Sequence, residues 1–514
     1  MKYPIGIQNF ESLREDDYVY VDKTLLIYKL ANEGRYYFLS RPRRFGKSLL
    51  ISTMAAYFSG KKELFKGLAM EKLEKDWTVY PVLHIDLNTG KYDSEDSLYH
   101  VLDDFLAKLE AVYGTFHSEA TLELRFKGLI ERIAKKEGQR VVILVDEYDK
   151  PMLQAINNDE LQEKFRSTLK AFYSVLKTQD QYIKFAFLTG VTKFGKVSVF
   201  SDLNNLVDIS MDERYQDICG ISEKEIHDYL EEGINALSER YNSSYSDTCA
   251  RLKKRYDGYH FVENGIGIYN PFSLLNTFST QKYGSYWFET GTPTFLVKLM
   301  QRDNFYLPDL TGQQVTGEFL NSIDSIDKSP IPIIYQSGYL TIKDYDEEFK
   351  FYTLDYPNEE VEEGFTNYLL PYYTHINKGQ NAMFIGSFVR DLRNGKPEDF
   401  MKRMETMFYD TDYKIVGDAE LYFQNAFYLI TKLLGFYTEV ERTISNGRID
   451  MVAMTKDYIY IFEFKYDKNA DIALKQIEEK GYDKPFVNDH RKLFKIGVNF
   501  SRDNRCIDDW KIES

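Results

Sequence analysis

Up to about residue 210, short continuous apolar runs stand between amphipathic stretches. The runs are Tyr36-Tyr37-Phe38-Leu39, Pro81-Val82-Leu83-His84-Ile85-Asp86, Val141 to Val145 and Phe185 to Leu188. Such runs predict strands buried on both faces, and the helical material between them predicts a parallel α/β sheet. From about 220 to 330 the pattern is mainly helical. Ser222-Glu223-Lys224-Glu225 opens it as a capping box, in which the serine satisfies an orphan N–H and the glutamate reaches back. The last hundred residues read α-β-β-β-α-β: a helix over Asp418 to Leu434 stopped by Gly435, then strands over Thr438 to Ile444 and Arg448 to Met454. Ser445-Asn446-Gly447 is a hairpin signal between those strands. A strand over Tyr458 to Lys465, a helix over Asp471 to Lys480 closed by Gly481, and a strand over Leu493 to Phe500 complete the order.

Composition narrows the class. In 514 residues, 43% are apolar and 28% charged, a globular balance, and no repeat or low-complexity tract interrupts it. With 65 basic and 80 acidic residues the formal charge is −15, which excludes a broadly basic coat but not a local basic groove. The first sixty residues are net positive, with nine Lys/Arg against six Asp/Glu. Residues 301–410 hold ten Lys/Arg against nineteen Asp/Glu, and are expected to form an acidic connector with a solvated face. Three cysteines far apart give neither a disulfide framework nor a metal-ligand spacing, as expected for a reducing cytoplasm. No apolar run approaches the ~18 residues of a membrane span, and the start, Met1 to Gly6, lacks a signal peptide's apolar core. The 41 Tyr, 36 Phe and 3 Trp are dispersed as core packing would disperse them.

Two stretches carry chemistry. Between the strand Tyr36–Leu39 and a helix lies Ser40-Arg41-Pro42-Arg43-Arg44-Phe45-Gly46-Lys47-Ser48, ending as a phosphate-binding loop ends. Gly46 permits close backbone approach, Lys47 would reach the β- and γ-phosphates, and the Ser48 hydroxyl would hold Mg²⁺. The leading glycine of the usual loop is replaced by Arg41. A hundred residues on, the strand Val141–Val145 delivers Asp146 and Glu147 at its C-terminal end, where α/β sheets bind ligands. Asp146 can orient hydrated Mg²⁺ and Glu147 can polarise an attacking water. Thr189 or Thr192 could sense the γ-phosphate, and Arg43 and Arg44 could supply transition-state charge.

The second stretch lies in the C-terminal module. Glu463 and Lys465 share one face of a strand by period-two alternation, and both are costly in an apolar strand unless paired or working. Asp450 and Glu463 offer hard oxygen ligands to Mg²⁺, for metal-assisted phosphodiester hydrolysis. Lys465 would position or deprotonate the water, or neutralise developing charge. Glu420 is a candidate extra carboxylate, and Gln476 could orient water or phosphate.

Pro4-Ile5-Gly6-Ile7, Tyr20-Val21-Asp22-Lys23-Thr24, Arg41 to Ser48, Val145-Asp146-Glu147-Tyr148-Asp149, Thr189 to Lys193, Ser201 to Asn205 and Tyr256-Asp257-Gly258-Tyr259 resemble the AAA-ATPase-like family of prokaryotic proteins. Arg41 at the first loop position is shared with that family. Gly447-Arg448-Ile449-Asp450, Glu463-Phe464-Lys465 and Gln476 are similar to the PD-(D/E)XK nuclease superfamily, although the proline before the first acid is absent. The resemblance implies an N-terminal P-loop ATPase domain with a parallel sheet over residues 1–212. A helical lid over 213–330, the acidic connector over 331–410 and a restriction-endonuclease-like αβββαβ domain over 411–514 would follow. It further implies ATP and Mg²⁺ as cofactors, nucleic acid as partner with DNA ahead of RNA, and compatibility with homo-oligomers. The leading expectation is an ATP-hydrolysing module that gates a Mg²⁺-dependent nuclease. The alternative is a nucleotide-dependent switch or scaffold whose nuclease fold has lost catalysis and binds nucleic acid or a protein partner.

Overall fold

The computed structural model describes residues 1–193, 199–200, 203, 205–289, 294–321, 329–374, 376, 378–409, 419–435, 437, 439–441, 450–501 and 506–514. They form two compact units, Met1–Gly291 with Thr311–Val361, and Thr292–Leu310 with Glu362–Ser514.

The first unit is built on five parallel strands: β1 (Tyr36–Ser40), β2 (Val82–Asp86), β3 (Val141–Asp146), β4 (Ile183–Gly190) and β5 (Val207–Asp208). β1 and β3 are buried at every position, as the unbroken apolar runs require. Helices Glu95–Tyr113, Leu122–Glu137 and Asp159–Thr178 join the sheet in one core through Leu98, Leu102 and Leu106, through Phe126, Ile130 and Ile133, and through Phe165, Leu169 and Phe172. Their spacings of three and four residues are the apolar stripe of a helix packed on a sheet. Strand order is β2-β3-β4-β1-β5. β4 therefore lies between β1 and β3, and its C-terminal end sits between the phosphate loop and the acidic pair.

Beyond this sheet, β6 (Ile221–Ser222) pairs antiparallel with β7 (Ile268–Tyr269), and both halves of the Ser222/Glu225 capping box form. The helices Glu223–Tyr241, Tyr245–Tyr256 and Pro271–Thr280 share a core that includes Ile226, Leu230, Leu252 and Leu274, against which Tyr3, Ile5, Val19 and Val21 pack. The stretch expected to be an acidic connector is in part regular structure: β8 (Gln313–Thr316), β9 (Thr341–Asp346) and β10 (Phe351–Asp355) form an antiparallel sheet of order β8-β10-β9.

The second unit carries a mixed sheet whose spatial order is also its chain order: β11 (Glu439–Glu441), β12 (Met451–Met454), β13 (Tyr458–Tyr466), β14 (Lys492–Ser501) and β15 (Cys506–Glu513). Only β13 and β14 run parallel, and the helix Ala470–Lys480 supplies the crossover that a parallel connection needs. It packs so closely that a Cβ on Gly497 would stand 2.4 Å from Ala470 O. The helix Ala419–Gly435 precedes the sheet. β15 is an additional edge strand beyond the expected αβββαβ order, and the hairpin signal Ser445–Gly447 lies outside the described residues. No described helix is long and apolar enough to cross a membrane.

Candidate functional site

β1 ends at Ser40, and the chain turns through Arg41–Gly46 into the helix Lys47–Phe58. Arg44 (φ 69°) and Gly46 (φ 94°) take left-handed backbone, which turns the loop back over the helix N-terminus. The first-turn N–H groups there have no intrahelical acceptors, a ready anion-binding arrangement. Lys47 is 4% exposed; its ammonium donates to Arg41 O (3.0 Å) and Pro42 O (3.1 Å) and lies 3.2 Å from Glu147 Oε1. The loop carbonyls thus aim the lysine, and the acidic residue after β3 partners it.

Asp146 is gripped from two sides. Ser48 Oγ donates to its Oδ2 and Thr189 Oγ1 to its Oδ1, each at 2.6 Å. Thr192 engages a different acid: its N–H and Oγ1 reach Asp149 Oδ2 at 2.6 and 2.7 Å, and Val191 N–H reaches Oδ1 at 3.2 Å. Asp149 is fully buried, and burial, then the charge of Glu147, push its carboxyl up to about 6. Of the two threonines, the structure places Thr189 against the acid shared with Ser48, and Thr192 one acid further along.

A cavity of about 580 Å³ opens over this loop, lined by Gly46, Lys47, Ser48 and Glu147 together with Arg43 and Arg44. Its apolar wall comes from Ile5, Ile7, Pro271, Phe272 and Leu275. Arg43 and Arg44 are exposed at the rim; the Arg44 guanidinium lies 4.7 Å from the Phe272 ring centroid, and Arg43 O accepts from Trp287 Nε1 at 3.1 Å. Sequence reasoning missed Lys150, a cavity-lining cation that donates to Asn88 Oδ1 at 2.7 Å and whose pKa burial lowers. Its position just after the acidic pair was the available signal.

In the second unit β13 puts Glu463 and Lys465 together, with Lys465 Nζ 2.7 Å from Glu463 Oε1. Glu463 is 1% exposed, and its Oε2 has no hydrogen-bond partner. Asp450 Oδ2 accepts from Phe464 N–H at 2.8 Å, which anchors that acid beside the same strand. Burial first, and the charge of Asp450 second, raise the Glu463 carboxyl to about 7, against the opposing pull of Lys465 and, more weakly, of the Asp450 backbone N–H. Phe464 packs on Phe427 with ring centroids 4.3 Å apart, so the alternation read from sequence holds. Gln476 is half-buried on the helix Ala470–Lys480, and the Glu420 side chain lies outside the described residues. Among the described residues no group of three or more His, Cys, Asp or Glu gathers as a metal cluster, so the acids here are the pair Asp450 and Glu463.

A phosphate loop after β1, facing acids after β3 across β4, defines a P-loop nucleotide-binding α/β module. The second unit, with acid, acid and lysine on a mixed sheet, has the form of a PD-(D/E)XK domain. Residues 4–200 match the family model of predicted AAA-ATPases, and residues 418–510 that of the PD-(D/E)XK nuclease superfamily. The chain is 36% identical over 525 residues to an uncharacterized protein in the vnfD 5′ region of Azotobacter chroococcum mcd 1, spanning 100% of this chain and 99% of that one. Among solved structures, the Aeropyrum pernix ORC2 protein (ADPNP–ADP complexes) matches 65% of this chain and 88% of its own at 10% identity and a TM-score of 0.26. The chain belongs to the family of predicted AAA-ATPases, with a C-terminal PD-(D/E)XK nuclease superfamily domain.

Proposed function

We propose that this protein hydrolyses ATP in its first unit and uses that cycle to control a Mg²⁺-dependent phosphodiesterase in its second, acting on nucleic acid and on DNA ahead of RNA. The observation that carries the reading is Glu463: a buried carboxylate with one oxygen on Lys465, the other unpartnered, and the charge of Asp450 nearby. A buried acid with a spare oxygen is costly unless a cation completes it. The donor set of two carboxylates suits a hard divalent ion, and Asp450 and Glu463 would hold it. When bound, Mg²⁺ would supply charge for the phosphoryl oxygens and acidify a water. Lys465 would then hold that water or the phosphate oxygen, while Gln476 and Glu420 are proposed as further polar contributors.

In the first unit Gly46 and the helix N-terminus would cradle the phosphates, Lys47 would leave its carbonyl acceptors for the β- and γ-phosphates, and Arg43 and Arg44 would meet them from the rim. Ser48 and Asp146, already hydrogen-bonded to each other, fit a Mg²⁺ site. Glu147 would orient the attacking water, Thr189 would report the γ-phosphate to Asp146, and Thr192 would brace Asp149 behind them. The apolar wall of Ile5, Ile7, Phe272 and Leu275 would take the base.

A second reading is a nucleotide switch or scaffold with an inactive nuclease fold. The Glu463–Lys465 ion pair favours it, because the lysine already neutralises the carboxylate through Oε1 without a metal. The experiment is cleavage of labelled DNA and RNA by the full chain with Mg²⁺ and ATP. The proposal expects cleavage that Glu463→Ala abolishes; cleavage surviving that change rejects the site, and a chain that binds nucleic acid without cutting it selects the second reading.

A further inference from the structure

The residue that replaces the leading glycine of the phosphate loop is buried. Arg41 is 1% exposed, and its Nη1 donates to Ser40 O at 2.9 Å and Ser210 O at 2.8 Å. Its Nη2 reaches Tyr215 O and Gln216 O, each at 3.4 Å, and the guanidinium lies 4.0 Å from the centroid of Phe261. Every one of these partners is a carbonyl or a ring. Among the described residues no carboxylate forms an ion pair with it. Of the two acids that act on it from further off, Asp208 and Asp217, the first is engaged by Lys193 at 2.9 Å and by Ser210 N–H at 2.9 Å. A buried cation without a close counter-ion is expensive, even with carbonyls satisfying its N–H groups. Its own carbonyl, meanwhile, is one of the two that aim Lys47.

We infer that Arg41 is a positioning residue for the nucleotide, a buried charge whose missing counter-ion is the polyphosphate held on the other side of the loop. This rests on the nucleotide reading of that site. The guanidinium touches no phosphate; it fixes the backbone that aims Lys47 and sets a positive potential that rewards each added phosphate. The role therefore selects ligands by phosphate number, not by base. A unit charge roughly 10 Å away at an effective dielectric of ~20 alters affinity about tenfold, and screening by solvent and counter-ions leaves about that for the whole triphosphate.

The test measures binding of ATP, ADP and AMP to the full chain by calorimetry, and the KM and kcat of ATP turnover. Arg41→Met keeps bulk and removes charge: ATP should weaken about tenfold, ADP about threefold and AMP less than twofold, with KM rising and kcat nearly constant. Arg41→Lys, which keeps the charge, should restore most of the preference for ATP over AMP. Phe261→Glu offers the guanidinium a carboxylate in place of the ring and should lose the same preference. Because that ring also packs on Phe45 of the loop (centroids 5.7 Å apart), Phe261→Gln, which removes the ring without adding charge, is the control and should keep it. This pair also serves should Arg41→Met fail to fold. Unchanged ATP affinity in Arg41→Met, or equal weakening of all three nucleotides, overturns the inference alone. Absence of nucleotide binding by the unsubstituted chain overturns the site reading and the inference with it.

Discussion

Thr189 and Thr192 are both fully buried, both donate to a carboxylate, and differ in which acid they hold. Replacing either by valine keeps the shape of the side chain and removes one hydroxyl. Each change deletes a hydrogen bond to a charged acceptor, 2.6 Å long at Thr189 and 2.7 Å long at Thr192. Such bonds contribute about 1.5–3 kcal/mol, so each variant should lose ~10- to 150-fold in the folding equilibrium of its unit. Asp149 still keeps the N–H groups of Val191 and Thr192 after Thr192→Val. Asp146 is left with Ser48 Oγ as its remaining side-chain donor after Thr189→Val. Stability should therefore fall comparably, but function should separate the two. Thr189→Val should lower the kcat for ATP at least about tenfold, because Asp146 also fixes the hydroxyl proposed to hold the metal, while Thr192→Val should stay within about threefold. Thermal melting and steady-state turnover on the same preparations read both quantities. A large loss of turnover in Thr192→Val with normal turnover in Thr189→Val would refute the assignment.

Other outcomes follow from the same geometry. Asp149 has a carboxyl raised above that of an unfolded aspartate, so the folded state binds its proton more tightly; its contribution to stability grows as pH falls from about 7 to 4 and shrinks as pH rises. Melting curves across that range should lose this slope in Asp149→Asn, and an unaltered slope contradicts the burial argument. Gly497→Ala would bring a methyl to 2.4 Å from Ala470 O, and should destabilise the second unit by about 1–3 kcal/mol or more, read by melting, with ATP binding retained. Glu147→Gln should leave ATP binding within a few fold and remove turnover; turnover equal to that of the unsubstituted chain would show that Glu147 orients no water.

The buried parallel strands were legible because they have no exposed face to interrupt the apolar run: β1 and β3 fall where Tyr36–Leu39 and Val141–Val145 indicated. β9 was not, because Thr341–Asp346 buries its first two residues and exposes Lys343 and Asp344, so its charges read as a solvated run. β15 hides in the same way, an edge strand of Cys506–Glu513 with Asp508 exposed. Strand order was not legible either. Nothing local to β4 says that it lies between β1 and β3, and that long-range pairing brings Thr189 to Asp146. Lys47, Ser48, Asp146, Glu147, Glu463 and Lys465 could be picked out as candidates because each is a charged or polar residue at the end of, or within, an apolar strand or loop of fixed spacing, and the structure brings Lys47 to Glu147, Ser48 to Asp146 and Lys465 to Glu463. The surroundings of Arg41 were not legible, since Ser210, Tyr215 and Phe261 lie more than 160 residues away in sequence.

Coupling of a nucleotide cycle to phosphodiester cleavage on one chain is the core of the proposed function. It is tested by cleavage of labelled DNA with Mg²⁺, with and without ATP, in the unsubstituted chain and in Lys47→Ala and Lys465→Ala. ATP-stimulated cleavage, stimulation lost in Lys47→Ala and cleavage itself lost in Lys465→Ala, is the predicted result. Cleavage indifferent to ATP and to Lys47→Ala, or persisting in Lys465→Ala, contradicts it.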